Sequence, residues 1–181
     1  RTVFARLGFD TFTSEEYMPD ISDTTEMGWV KDHILTDEIV KAMESTEGPD
    51  YVYTISVQGH GDYPEEPVLT DPVIQVSGAE SQEKNYAWEY YVNQLYEMDQ
   101  FVKELTDRLA EYDERVVLVM YGDHLPTFDV TDDMLTNGDK FQTQYVIWSN
   151  FEMEKQNKKT AAFRRKQLKG VCYAGWNIYM V

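Results

Sequence analysis

The stretch VVLVMYGDHLPTF, residues 116–128, constrains this chain more than any other. Its apolar, β-branched start reads as a buried strand. Gly122 breaks the run, and Pro126 prevents a helix from starting at once. Asp123 and His124 therefore fall where a strand of an α/β sheet gives way to its loop, the end at which such sheets bind ligands. Carboxylate and imidazole are both metal-binding groups. Neighbours in a strand point to opposite faces, so the two can share an ion only if the chain has already turned. From these residues alone a second reading stands beside it: a loop aspartate next to a solvated histidine.

A second run repeats the design. YVYTISV at 51–57 is β-branched and aromatic, and it leads into QGHGDYP at 58–64, which presents His60 between two glycines. His60 is either a ligand-facing group or a loop histidine. Between the runs, residues 81–112 predict the longest helix. Tyr91, Leu95, Met98, Val102, Leu105 and Leu109 recur on one face of it, and this stripe reads as core. Tyr86, Trp88 and Tyr90 either pack or line a groove, with packing the better reading. Residues 29–46 predict another helix, capped by Thr36, with Asp37 and Glu38 suited to the dipole of its first turn. Residues 142–149 predict a third strand. Residues 1–20, 65–80 and 129–140 read mainly as loops. The order helix, strand, helix, strand, strand implies an α/β fold with a mostly parallel sheet flanked by helices.

With 181 residues and 42 % hydrophobic content, the chain suits one domain or part of a larger one. No apolar run approaches the roughly 20 residues of a membrane helix, and no signal peptide is visible. A start on Arg1 suggests an excised piece. The single Cys172 excludes a disulfide framework and a cysteine-based zinc cluster. A net charge of −17 argues against nucleic acid as a partner. Residues 155–181 carry seven basic residues and no acid, whereas residues 1–154 carry 9 basic against 33 acidic.

These segments resemble the C-terminal portion of lipoteichoic acid synthases and phosphoglycerol transferases, within the sulfatase and alkaline phosphatase superfamily. The resemblance rests on LGFDTF at 7–12, GWVKD at 28–32, YTISVQGHGDYP at 53–64, the helix with Asp99, YGDHLPTF at 121–128 and QTQYVIWSN at 142–150, in the order of that group. It implies the superfamily's α/β fold, present here as a partial domain over residues 1–153. It also implies one divalent metal, usually Mn2+, with Zn2+, Ca2+ or Mg2+ as alternatives. Asp123 and His124 become metal ligands, and His60 becomes the histidine facing the substrate phosphate. The group's glutamate ligand and threonine nucleophile match nothing in this chain, and a substrate-contacting arginine falls at or just before Arg1. The chain by itself is therefore expected to lack turnover.

The implied substrate is a glycerophosphate-bearing lipid or another phosphate or sulfate ester. The implied location is the extracellular face of a bacterial membrane, with the parent protein anchored by helices outside this sequence. A sulfatase or phosphatase on the same fold is the alternative. Cys172 lacks the Cys-x-Pro-x-Arg context a sulfatase nucleophile requires. A phosphoethanolamine transferase ranks third, and a degenerate non-catalytic relative also fits.

Residues 154–181 depart from the group and read as a divergent basic tail. Back-translated and shifted by one base, Gly170 to Tyr179 can encode Ala-Tyr-Val-Met-Leu-Ala-Gly-Ile-Tyr, which resembles the group's ending. This suggests a frameshift between about residues 157 and 169. The rival is a true basic tail that meets anionic lipid or wall polymer.

Overall fold

A computed structural model describes residues 2–153, together with the backbone of 176–180. The apolar runs form strands as expected: β1 is Val52–Ser56, β2 is Val117–Gly122 and β3 is Tyr145–Ser149. A further strand, β4, is Trp176–Met180. The helices are α1 (Thr2–Arg6), α2 (Leu35–Met43) and α3 (Gln82–Ala110). Apart from β4, the residues of the expected tail lie outside those described, as does Arg1. The frameshift expected between about residues 157 and 169 lies outside the described residues, and of the segment after it only the backbone of 176–180 is described.

The expected mostly parallel sheet needs correction. The four strands run in the order β1-β4-β2-β3, and each neighbouring pair is antiparallel. β1 and β2 do point the same way, because α3 carries the chain back between them, but β4 enters from the opposite direction and separates them. One consequence positions the site. Ser56, at the end of β1, and Gly122, at the end of β2, both register with residue 176 of β4. The two loops that follow thus leave the sheet at the same end of its strands.

Between sheet and helices, Leu35, Ile39, Phe101, Leu105, Leu109, Val116 and Leu118 form the core. The α3 stripe contributes Met98, Leu105 and Leu109 to the buried set, while Tyr91, Leu95 and Val102 are only half-buried. Phe101, which the stripe omits, is buried. Nearer its start the helix buries Tyr90, Asn93 and Gln94 instead. There it faces backbone as well as side chains: Asn93 accepts from the Ile74 N–H at 3.1 Å and donates to the Ile74 carbonyl at 2.8 Å. These bonds hold the irregular 65–80 segment.

The helix expected over 29–46 begins later. Trp29 and Val30 lie in a tight reversal, with Thr24 bridging Val30 and Gly28 in the left-handed region at φ 82°. A 3-10 turn at Asp32–Ile34 then runs directly into α2. Thr36 is therefore not a cap. It is buried inside the helix. At the other end of the core, Asn150 joins β3 to the end of α3. Its Oδ1 accepts from the Val116 N–H at 2.8 Å, and its Nδ2 faces the carbonyls of Leu109, Tyr112 and Glu114.

Candidate active site

The two glycine-histidine loops meet in one pocket of about 50 Å³. Its wall includes Ser56, Gly59, His60, Tyr63, Tyr91, Asp123 and His124. The chain bends at Asp123 and His124, directly after Gly122 ends β2. That bend brings the two side chains together, with His124 Nε2 3.7 Å from Asp123 Oδ1. His60 lies beside them, its ring centroid 6.3 Å from that of His124 and nearly perpendicular to it. All three residues singled out from the sequence therefore share one pocket, although His60 is 63 positions from Asp123.

His124 has a defined orientation. Its Nδ1 lies 2.7 Å from the Leu125 carbonyl oxygen. A carbonyl only accepts, so Nδ1 carries the proton and Nε2 of the neutral ring keeps its lone pair. That lone pair faces a carboxylate oxygen. Two acceptors turned toward each other suit a shared cation. Metal bonds to such groups are about 2.0–2.2 Å, so two ligands of one ion stand at most roughly 4.2 Å apart. The observed 3.7 Å falls within that reach. Asp123 and His124 thus fit a divalent ion as two of its ligands. Among the described residues no three His, Cys, Asp or Glu side chains form a metal-holding group, so the remaining ligands would come from elsewhere.

His60 is held from two sides. Trp29 meets its ring edge-on at 5.0 Å. Its own N–H donates to the Val57 carbonyl at 2.9 Å, closing the turn that presents the ring. Below that turn, the Asp32 carboxylate accepts from the N–H groups of Val57 (3.1 Å) and Gln58 (3.4 Å). In return the Gln58 side chain accepts from the Asp32 N–H at 2.9 Å. Gln58 then donates to Gln94 at 2.9 Å and to Glu97, which pairs with Lys31 at 3.1 Å. Burial pushes the Asp32 carboxyl up to about 6, against the two backbone N–H groups that favour its charge. Gly59 allows close packing, because a Cβ there would stand 2.9 Å from Met98 Sδ and the methionine would have to shift.

Aromatic rings tie the two loops together. Phe128 is stacked between Tyr63 at 4.5 Å and Trp88 at 3.7 Å, with Tyr91 edge-on at 5.5 Å. Trp88 and Tyr90 therefore pack, as the sequence favours. Tyr91 both packs and lines the pocket. Tyr63 donates to the Gly59 carbonyl at 3.1 Å, and its hydroxyl is pushed up by burial and by the neighbouring Tyr91 and Tyr90.

Sequence reasoning did not assign roles to Ser56, Tyr63, Asp32 or Gln58. The only local signal was Gln58, a polar residue closing an apolar run. Partners 26 and 36 positions away have no local pattern.

The family model for sulfatases matches residues 1–165. The chain belongs to the sulfatase family. Sulfatase-family membership agrees with the expected superfamily and with its α/β fold. A curated relative, the "Putative cyclic beta-1,2-glucan modification protein" of Rhizobium meliloti (strain 1021), is 28 % identical over 170 residues, covering 86 % of this sulfatase-family chain and 26 % of its own length. The chain thus spans about a quarter of that relative. No solved structure matches it. Among the described residues no helix of this sulfatase-family chain is long and apolar enough to cross a membrane.

Proposed function

We propose that this chain forms part of the active site of a metal-dependent phosphoglycerol transferase, similar to lipoteichoic acid synthases. The observation that carries the reading is the convergence of His60 with the Asp123–His124 pair at the ends of β1 and β2. Asp123 and His124 would hold one divalent ion, Mn2+ by the resemblance, through Oδ1 and Nε2. When bound, that ion lowers the pKa of a nucleophile and neutralises charge on a phosphoryl oxygen. The nucleophile is a threonine outside residues 1–181.

In the overall transfer, the bond from phosphorus to the lipid oxygen breaks and a bond from phosphorus to an acceptor hydroxyl oxygen forms. The acceptor's proton ends on the departing lipid alkoxide, giving a neutral alcohol. His60 is suited to orient the phosphoryl group and to deliver that proton. The charge of −17 repels anionic lipid at long range, so recognition of phosphate rests on the pocket itself. Such a substrate lies at the outer face of the cell membrane, which is where we place the parent protein.

The relative's name favours a second reading of the acceptor, in which the hydroxyl belongs to a glucan. Replacing the codon for His60 or His124 by alanine in the bacterium that encodes this chain tests both. The expected result is loss of phosphodiester-linked glycerol from envelope polymer or glucan, read by 31P NMR of the two fractions. Unchanged 31P spectra with accumulation of a sulfate ester would replace this reading by a sulfatase. Unchanged spectra without any such ester would leave a non-catalytic relative.

A further inference from the structure

Ser56 is a polar group of the pocket wall to which the function above gives no task. It closes β1, directly across β4 from Gly122, and it is only 1 % exposed. The residue is part of the pocket wall with His60, Asp123 and His124, and its Oγ is buried. The Ser56 Oγ makes no hydrogen bond of ordinary geometry among the described residues. It does lie near enough to Asp32 to help hold that carboxyl in its charged form. Leaving a buried hydroxyl short of partners costs stability, and alanine at this position would avoid the cost.

The chemistry of the neighbours decides what such a hydroxyl recognises. Asp32 Oδ1 is already engaged by the Val57 and Gln58 N–H groups. Its Oδ2 has no hydrogen-bond partner and is the acceptor available to Ser56. A serine that turns its proton toward this carboxylate keeps its lone pairs for a donor that enters from the pocket side. It then accepts a hydrogen bond and has none to give. An ester oxygen carries no proton and is repelled by the carboxylate behind, whereas an alcohol hydroxyl is a donor.

We propose that Ser56 is a specificity residue of the site, accepting a hydrogen bond from a hydroxyl on the glycerol or sugar carried by the ester. The inference rests on the proposed function, and it names which part of the substrate the β1 side of the pocket reads. Phosphate recognition stays with His60 and the metal pair.

The test is calorimetric titration of the full chain, in the presence of Mn2+, with glycerol phosphate and with propyl phosphate, which has the same ester and no hydroxyl. The native protein is expected to bind glycerol phosphate about 5-fold more tightly, the worth of one neutral hydrogen bond. Ser56→Ala is expected to bring the two affinities level while leaving propyl phosphate unchanged. The near-isosteric Ser56→Cys should do the same, and circular dichroism of both variants checks the fold. Equal binding of the two esters by the native protein, or a preference that survives in both variants, overturns the role of Ser56 alone. Loss of neither ester in His60→Ala, or no binding of either by the native protein, overturns the phosphate site on which the inference rests.

Discussion

Asp32 and Gln58 hold each other reciprocally. The carboxylate of Asp32 accepts from the Gln58 N–H, and the side-chain carbonyl of Gln58 accepts from the Asp32 N–H. Both residues are about 2 % exposed, and Gln58 lies within the turn from Val57 to His60 that presents the histidine. The network is not fully satisfied, since Asp32 Oδ2 makes no hydrogen bond of ordinary geometry among the described residues, and burial makes such an open acceptor costly.

Asp32 makes stability depend on pH in a definite direction. Burial raises its carboxyl from 3.8 to about 6 in the folded protein. The folded state therefore holds this proton more tightly than the unfolded chain. The resulting stabilisation is complete below about pH 4 and is lost as pH rises through about 6. A shift of this size corresponds to about 3 kcal/mol. Asp32→Asn keeps an oxygen for the two N–H groups and removes the titration. Urea denaturation at pH 4.5 and 7.5 is expected to show the variant gaining relative to the native protein at the higher pH. A constant difference between the two would contradict the assignment.

Gly59→Ala pushes a methyl group onto Met98 Sδ, where the contact would be 2.9 Å. Methionine yields more readily than backbone, so the cost is about 1–2 kcal/mol rather than loss of the fold. Since the same shift moves the His60 turn, ester binding should weaken along with the denaturation midpoint. Shortening Met98 to alanine in the same protein should recover part of the binding loss, and strict additivity of the two changes would show that they do not touch.

Phe128→Ala empties the gap between Tyr63 and Trp88. Truncating a half-buried, stacked ring is expected to cost about 2–3 kcal/mol. The near-ultraviolet dichroism of Trp88 should diminish. Affinity for Mn2+ should also fall, because Phe128 anchors the loop that begins with Asp123 and His124. Phe128→Tyr should retain both. Unaltered Mn2+ affinity in the alanine variant would separate the stack from the site.

Asn150 makes a prediction about sign. Its amide donates toward three carbonyls at the end of α3 and the start of β2 and accepts the Val116 N–H. Asn150→Ala is expected to cost about 2 kcal/mol. Asn150→Asp keeps the acceptor but turns a negative charge toward carbonyl oxygens at a helix C-terminus, where the dipole is also negative. The aspartate variant should therefore melt below the alanine variant at pH 7, and the reverse order would refute this reading of the contact.

Much of this protein was written locally. The apolar runs at 52–56 and 117–122 became strands because β-branched and aromatic residues suit a pleated, buried surface. The long helix followed from its period, and the bend after Gly122 followed from the glycine and Pro126. Those same residues marked His60, Asp123 and His124. Where sequence reasoning failed, the deciding interaction lay far along the chain. Thr36 looks like a cap, but the 3-10 turn at 32–34, fixed by Gln58, fills that role. Phe101 is a different case: it lies off the expected stripe, yet Tyr90, Gln94, Met98, Phe101, Leu105 and Leu109 are buried at helical spacing, and the stripe misses this face because it counts Tyr91, Leu95 and Val102 as its apolar positions.

Tertiary structure alone decided three further things. It placed β4 between β1 and β2, which makes each neighbouring strand pair antiparallel. It joined the buried Asp32, Gln58 and Gln94 to the partly exposed Glu97 in one network, although each alone reads as surface. And it turned Ser56, one residue of an ordinary strand, into part of the pocket wall. The physical reason is the same in each case. Strand identity and helix period are set by neighbours one to four positions away, whereas hydrogen-bond partners and pocket walls are set by whichever segments the packed core brings together.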